Sequence, residues 1–284
     1  MAAQVFRYGS PSPAVPAGSR LVALVSGGNS HPSWGPFTYL DEFLRVALLA
    51  HDLNLVHVPL QEAEEWSSQG WPGRVYGCLV NQAASGFLDR IAASGVPTVA
   101  LNVPGRAGVP AVGFDDLGGM TAGMEYLLGL GHRHLVWVAR ATERHAQSYL
   151  ERHAVVVRLA RQAGAVVDQV TVEPHAPQQL RAYLRHPDHA TALVAYSSEV
   201  WCDCLPMVRA EGIAIPDSLS VLVADDAPWL HVLTPGYTAI TLPVADMAAA
   251  AVERLIKPGC DILLPEVLTV RASCAPLTRR PPRS

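Results

Sequence analysis

Apolar residues recur along this chain in two alternating rhythms. Met120, Met124, Leu127 and Leu128 fall at i, i+4, i+7 and i+8, the spacing of one face of an amphipathic helix. Gly131 then predicts a left-handed helix stop, with His132 and Arg133 placing donors near the exposed helix carbonyls. Leu135 to Ala139 follows as a short run, apolar on both faces, which is how a central strand of a parallel sheet reads. The grammar repeats. Leu40, Phe43, Leu44, Ala47 and Leu48 mark a helical face ahead of the strand "LNLVHVPL", and "RLVALVS" reads as the first strand. Three further stretches, "FLDRIAASGVPTVALN", "RLARQAGAVVDQVTVE" and "LPMVRAEGIAIPDSLSVLVADD", each run helix, glycine (Gly95, Gly164, Gly212), strand. Helices alternating with apolar strands at this spacing predict right-handed crossovers and parallel sheets, an α/β fold.

Composition narrows the picture. With 284 residues, half of them hydrophobic, the chain buries enough surface to need no disulfide or metal staple. The number of helix and strand units favours two lobes over one domain. A formal charge of -4 gives no global attraction to nucleic acid or anionic lipid, so DNA binding within this chain is disfavoured. Five scattered cysteines without a CxxC pair predict small core residues in a reducing, cytoplasmic setting. Residues 1–19 read as a Pro/Ser/Gly arm without the apolar core of a signal peptide, and 277–284 as a basic tail. The close pairs His132/His134, His186/His189 and Cys202/Cys204 are expected to be structural, with no metal and no cofactor. No nucleophile elbow and no assignable carboxylate pair points to an enzyme.

Four stretches in order resemble the effector-binding region of the LacI/GalR family of transcription regulators, itself similar to periplasmic sugar-binding proteins. They are "VGFDDLGGMTAGMEYLLGLGHRHLVWVA", "YLERHAVVVRLARQAG", the long run from "TALVAYSSEVWCDC" to "MAAAAVERLI", and "LPEVLTVRASCAP". The resemblance implies two Rossmann-like lobes with parallel sheets, joined by three crossovers around a ligand cleft. Its boundaries are an N-lobe of 20–140 and 241–257 and a C-lobe of 141–238 and 262–276. It places the Gly-His-Arg corner just before the last strand of the N-lobe. The family's N-terminal helix-turn-helix has no counterpart before Arg20, so DNA would be reached only through a module absent from this chain.

The resemblance also nominates site residues. Arg152 aligns with an arginine that forks onto ligand hydroxyls or a carboxylate, and Asp225 with an acidic residue that accepts from sugar hydroxyls. Both are expected to meet ligand or water, so that folding does not depend on them. The family's Asn-Asp pair is Ser197-Ser198 here, which leaves fewer strong acceptors for a standard sugar. Trp201, where the family has a small residue, is either a stacking platform or a filler of the cleft. The loop after the first strand offers Ser26, Asn29, His31 and Trp34 at the sheet edge where α/β folds bind ligands.

The function this implies is ligand sensing and dimerisation in a LacI/GalR-like regulator. The partners would be a carbohydrate-like effector and a second copy of the chain, with no membrane. The alternatives are a solute-binding protein of a sugar transporter and a sensor that has lost standard sugar binding.

Overall fold

The computed structural model describes residues 20–26, 39–69, 71, 74–81, 85–174 and 177–277. Two sheets of six strands each organise them. The first contains β1 (Leu21–Ser26), β2 (Asn54–Pro59), β3 (Gly77–Asn81), β4 (Thr98–Leu101), β5 (Ala111–Phe114) and β11 (Ile262–Leu264), all parallel, in the order β11-β5-β4-β3-β1-β2. The second contains β6 (His134–Arg140), β7 (Val166–Val172), β8 (Ala192–Ala195), β9 (Ser220–Val223), β10 (Thr238–Thr241) and β12 (Val267–Thr269). Its order is β12-β10-β9-β8-β6-β7, and only β12 runs antiparallel.

The helices are α1 (Leu40–Leu49), α2 (Leu60–Gln69), α3 (Ser85–Ala93), α4 (Asp116–Gly129), α5 (Gln147–Gln162), α6 (Gln178–Arg185), α7 (Ser198–Ala210), α8 (Trp229–Val232) and α9 (Val244–Ile256). They cover the sheets as the apolar spacing requires. Leu40, Leu44 and Leu48 of α1 share one core with Met247, Ala251 and Leu255 of α9 against the first sheet. Phe43, expected on that buried face, is 38% exposed and looks outward. The predicted glycine stops at Gly95, Gly131, Gly164 and Gly212 all adopt positive φ. At the corner after α4, Arg133 Nη1 donates to Leu128 O at 2.8 Å, while the His132 ring is instead buried between Thr191 and Ser220.

The sheets part from the expected boundaries in two places. Strand β6, expected to close the N-lobe, lies inside the second sheet between β7 and β8. Helix α4 goes with it, since Met120, Met124 and Leu127 share a core with Trp137, Leu222 and Ile240. Gly119 and Gly123 allow this approach. A Cβ on Gly123 would meet Leu222 Cδ2 at 2.8 Å, and one on Gly119 would meet Ile240 Cγ2 at 2.9 Å. Strand β11, expected in the C-lobe, pairs with β5 in the first sheet. The chain therefore passes between the sheets through α4, through α9 and through the short link from β11 to β12.

Two smaller expectations also change. Cys78 and Cys204 are buried core residues, but Cys202 and Cys260 are exposed, because α7 turns Cys202 outward two residues before Cys204. Leu277, expected to open a free tail, donates its N–H to Leu130 O at 2.8 Å.

Candidate functional site

Parallel strands end their backbone ladder with the next loops opening outward, which concentrates polar side chains at the carboxyl edge. In the second sheet β6, β8 and β9 are neighbours, so the residues just after each of them converge. A 3-10 turn at Ala141–His145 follows β6 and carries Glu143, whose Oε2 accepts the Arg140 N–H at 2.8 Å. Tyr196, Ser197 and Ser198 follow β8, and Asp225 comes shortly after β9.

Ser197 caps α7, its hydroxyl accepting the Val200 N–H at 3.2 Å. Ser198 donates its own N–H to Asp225 Oδ1 at 2.6 Å. Its hydroxyl, fully buried beside the same carboxylate, forms no hydrogen bond of good geometry. Burial pushes the Asp225 carboxyl up to about 6, against the opposing pull of Ser198 and of the Arg152 charge. Burial likewise pushes Glu143 up to about 7, against the backbone N–H and the charge of Arg140, with the negative charges of Glu199 and Asp225 adding to the rise.

Arg152, on the second turn of α5, is a buried group with partners of its own. Its Nε lies 2.5 Å from Asp116 Oδ1, and its Nη2 donates to Glu266 Oε1 at 2.9 Å. Asp116 is the first residue of α4, and Glu266 sits in the link between β11 and β12. One guanidinium thus holds two of the segments by which the chain passes between the sheets. Burial keeps both carboxyls above the ordinary range even beside this cation. The expectation that Arg152 meets only ligand or water is overturned, because the packing of α4 against α5 brings carboxylates from far along the chain to it. The Tyr196 ring lies 5.9 Å from the Arg152 guanidinium carbon, and its hydroxyl pairs with Ser148 Oγ at 2.8 Å.

Trp201 is fully buried, its ring 5.1 Å from that of Tyr237, so it fills the second core rather than offering a platform. Ser26 ends β1 beside Asn81 at the end of β3, and the buried Oδ1 of Asn81 has no hydrogen-bond partner. Asn29, His31 and Trp34 lie outside the described residues. Glu143, Tyr196, Asn81, Asp116 and Glu266 were not singled out by sequence reasoning. Asn81 ends an apolar strand run as Ser26 does, which is a usable signal, whereas Glu266 has none in its own neighbourhood.

The histidine pairs are engaged internally. His132 bridges Thr191 and Ser220, His134 pairs with Asp168 at 2.7 Å, and His189 Nδ1 meets Ala190 O at 2.7 Å. An open groove of about 360 Å³ between α6 and α7, lined by Gln178, Arg181, Cys202, Pro206 and Met207, touches the edge network only through Asp203. Asp203 in turn receives Nε and Nη2 of Arg140 at 2.8 and 2.6 Å. Among the described residues no helix is long and apolar enough to cross a membrane.

Two sheets whose chain passes between them three times, with polar groups gathered at a carboxyl edge, define a periplasmic-binding-protein-like fold. A family model described as "Periplasmic binding protein-like domain" matches residues 124–274, more than half the chain. The chain belongs to the LacI/GalR family of transcription regulators. It is 34% identical over 167 residues to a probable opine utilization operon repressor of Rhizobium rhizogenes, spanning 52% of this chain and 84% of that protein. It is 27% identical over 191 residues to the HTH-type transcriptional regulator GalS of Salmonella typhimurium, spanning 65% of this chain and only 55% of that protein. Among solved structures, a LacI family regulator from Enterococcus faecium with bound ribose matches with a TM-score of 0.75 at 17% identity, over 91% of this chain and all of that one. A complex of the regulator CelR with cellobiose matches with a TM-score of 0.74 at 23% identity, over 90% of this chain and 84% of that one. These low-identity structures establish the fold alone.

Proposed function

We propose that this chain is the effector-sensing and dimerising part of a LacI/GalR-type regulator. A small polar effector lies between the carboxyl edges of the two sheets, and its binding shifts the population of lobe and dimer geometries. The observation that carries the reading is the convergence of Glu143, Ser198 and Asp225 at the ends of three adjacent strands. Arg152 stands behind them and ties the segments that join the sheets, so a ligand felt at Asp225 is felt at the hinge. The sugars held by relatives of the same fold make carbohydrate-like compounds one class to test, and the opine repressor makes opines another. The free thiols fit a reducing cytoplasm.

Dimerisation has its own support. Tyr39, Phe43, Val46 and Leu49 form one outward apolar stripe on and just before α1, all at least 38% exposed. Sedimentation at micromolar concentration should give a dimer that V46D/L49D converts to a monomer, and a strictly monomeric wild type would remove this part of the reading. For the effector, a thermal-shift screen of sugars, sugar acids, nucleosides and opines is the direct test. A ligand at a hundredfold its Kd adds about 2.7 kcal/mol to the native state. Stabilisation that survives Asp225→Ala unchanged would move the site elsewhere, first to the groove between α6 and α7.

A further inference from the structure

We infer that the contact joining α4, α5 and the β11–β12 link is a proton-dependent latch, in which Asp116 and Glu266 share one proton on the edge of the Arg152 guanidinium and losing it loosens the passage between the sheets.

The argument is one of charge and donors in a dry space. The side chains of Arg152, Asp116 and Glu266 are only 5%, 8% and 0% exposed. Nε and Nη2 lie on one edge of the planar guanidinium, the edge that a single carboxylate fills when it binds bidentately. Here two carboxyls divide it, Asp116 Oδ1 lying 2.5 Å from Nε and Glu266 Oε1 lying 2.9 Å from Nη2. If both were ionised, one negative charge would stay buried and unmatched. Carboxyls that share a site in this way keep a proton between them. The other groups facing the set do not relieve it. Glu151 of α5 adds negative charge beside Asp116, while Asp225 after β9 and Tyr196 after β8 face Arg152. Neither Asp116 nor Glu266 pairs with a second cation among the described residues.

The seat of Glu266 says where the proton sits. Its Oε2 is buried and receives no N–H or O–H from another group. It lies against Gly119, where a Cβ would collide with it and would also meet Ile240 Cγ2 at 2.9 Å. Gly119 has no side chain to offer, and its N–H is already given to Asp115 O at 2.9 Å. An ionised oxygen there would be charged and without a donor, whereas a protonated one is itself the donor, with the Asp116 carboxylate beside it. Burial raises both carboxyls, Glu266 to about 7, against the pull of Arg152. The closed latch thus holds a proton that a freed, solvated Glu266 gives up to solvent. Closure therefore weakens as pH rises from about 4 to about 7 and is level above that.

Glu266→Gln copies the protonated carboxyl, keeping an acceptor for Arg152 and a donor for Asp116 at every pH. From about pH 5.5 to about pH 8.5, chemical denaturation of the full chain should show the wild-type folding constant fall about tenfold or more relative to E266Q. Referring to E266Q cancels the other raised carboxyls. Infrared difference spectra between the two should show a protonated-carboxyl band in the wild type at the lower pH that is gone at the higher. The Asp115 N–H, which donates to Leu264 O at 2.8 Å and so ties the start of α4 to β11, reports the latch itself. Its hydrogen exchange should outrun the intrinsic rate as pH rises in the wild type and keep to that rate in E266Q, which a fixed ion pair would not produce. D116N removes one of the two negative charges and should flatten the same dependence, which keeps the test open if E266Q does not fold. A pH-independent stability difference between wild type and these variants, whatever its size, overturns the inference, because Glu266 would then be ionised throughout. Absence of the infrared band at the lower pH overturns it too.

Discussion

Among the described residues, the carboxyl edges of the two sheets are built alike and charged differently. At the first, β1 and β3 end side by side in Ser26 and Asn81, both neutral. At the second, three neighbouring strands lead into Glu143, Ser197–Ser198 and Asp225, with Arg140 and Arg152 engaged behind them. Among the described residues the same topology therefore carries neutral polar groups at one edge and charged ones at the other. In the proposed reading, charge recognition and coupling to the hinge belong to the second edge, with Ser26 and Asn81 of the first adding neutral contacts.

The largest effect should come from removing the cation of the charged edge. Arg152→Ala strands Asp116 and Glu266 as buried carboxylates, and breaking such a set costs about 3–5 kcal/mol of stability. Chemical denaturation of the variant checks it. A loss below about 1 kcal/mol, the range of an exposed pair, would mean that the carboxylates are solvated in solution.

Acidity comes next. Asp225 and Glu143 titrate higher in the folded chain than the roughly 4 of unfolded carboxyls. Between about pH 4 and pH 7 the unfolded chain has therefore lost protons that the folded chain still holds, so these groups make stability fall as pH rises through that window and stay level above it. The thermal midpoint of wild type relative to D225N/E143Q should drop from pH 5 to pH 8. A difference that is flat or rises with pH would remove the picture of two carboxyls raised by burial.

The smallest effect belongs to the neutral edge. Asn81→Ala removes a buried acceptor that lacks a donor, so stability should change by less than about 1 kcal/mol, with either no loss or a slight gain. Affinity for a cleft ligand should fall by about threefold to tenfold, the worth of one neutral hydrogen bond. An Asn81→Ala loss as large as that of D225N would make the two edges equivalent and end the asymmetry.

The same contrast separates what could be read in the sequence from what could not. Local grammar was legible. The glycine stops, the apolar strands and the acidic residue after β9 all follow from short-range spacing, and the structure has them. Membership of a sheet was not, because an apolar run such as "LVWVA" looks the same in whichever sheet it ends up central, and β6, expected in the first sheet, lies in the second. Helix α2, "LQEAEEWSSQ", carries too few apolar positions to show a face. In the candidate site, Asp225 is nominated by the resemblance, and its place after an apolar strand agrees with that. The partners of Arg152 could not, since Glu266 lies 114 residues away and only the packing of the crossing segments brings them together. Trp201 stays open in the sequence because a large aromatic beside a cleft motif reads equally as platform or core, and its burial decides for core.

The central claim is that an effector lies between the two edges and is held more strongly by the second. Amide hydrogen exchange of the full chain, with and without the compound that stabilises it most, tests this directly. The account predicts added protection at 140–145, at 196–200 and around Asp225, with weaker protection at the ends of β1 and β3. Protection confined to 177–186 and 202–210, the walls of the groove between α6 and α7, would contradict it.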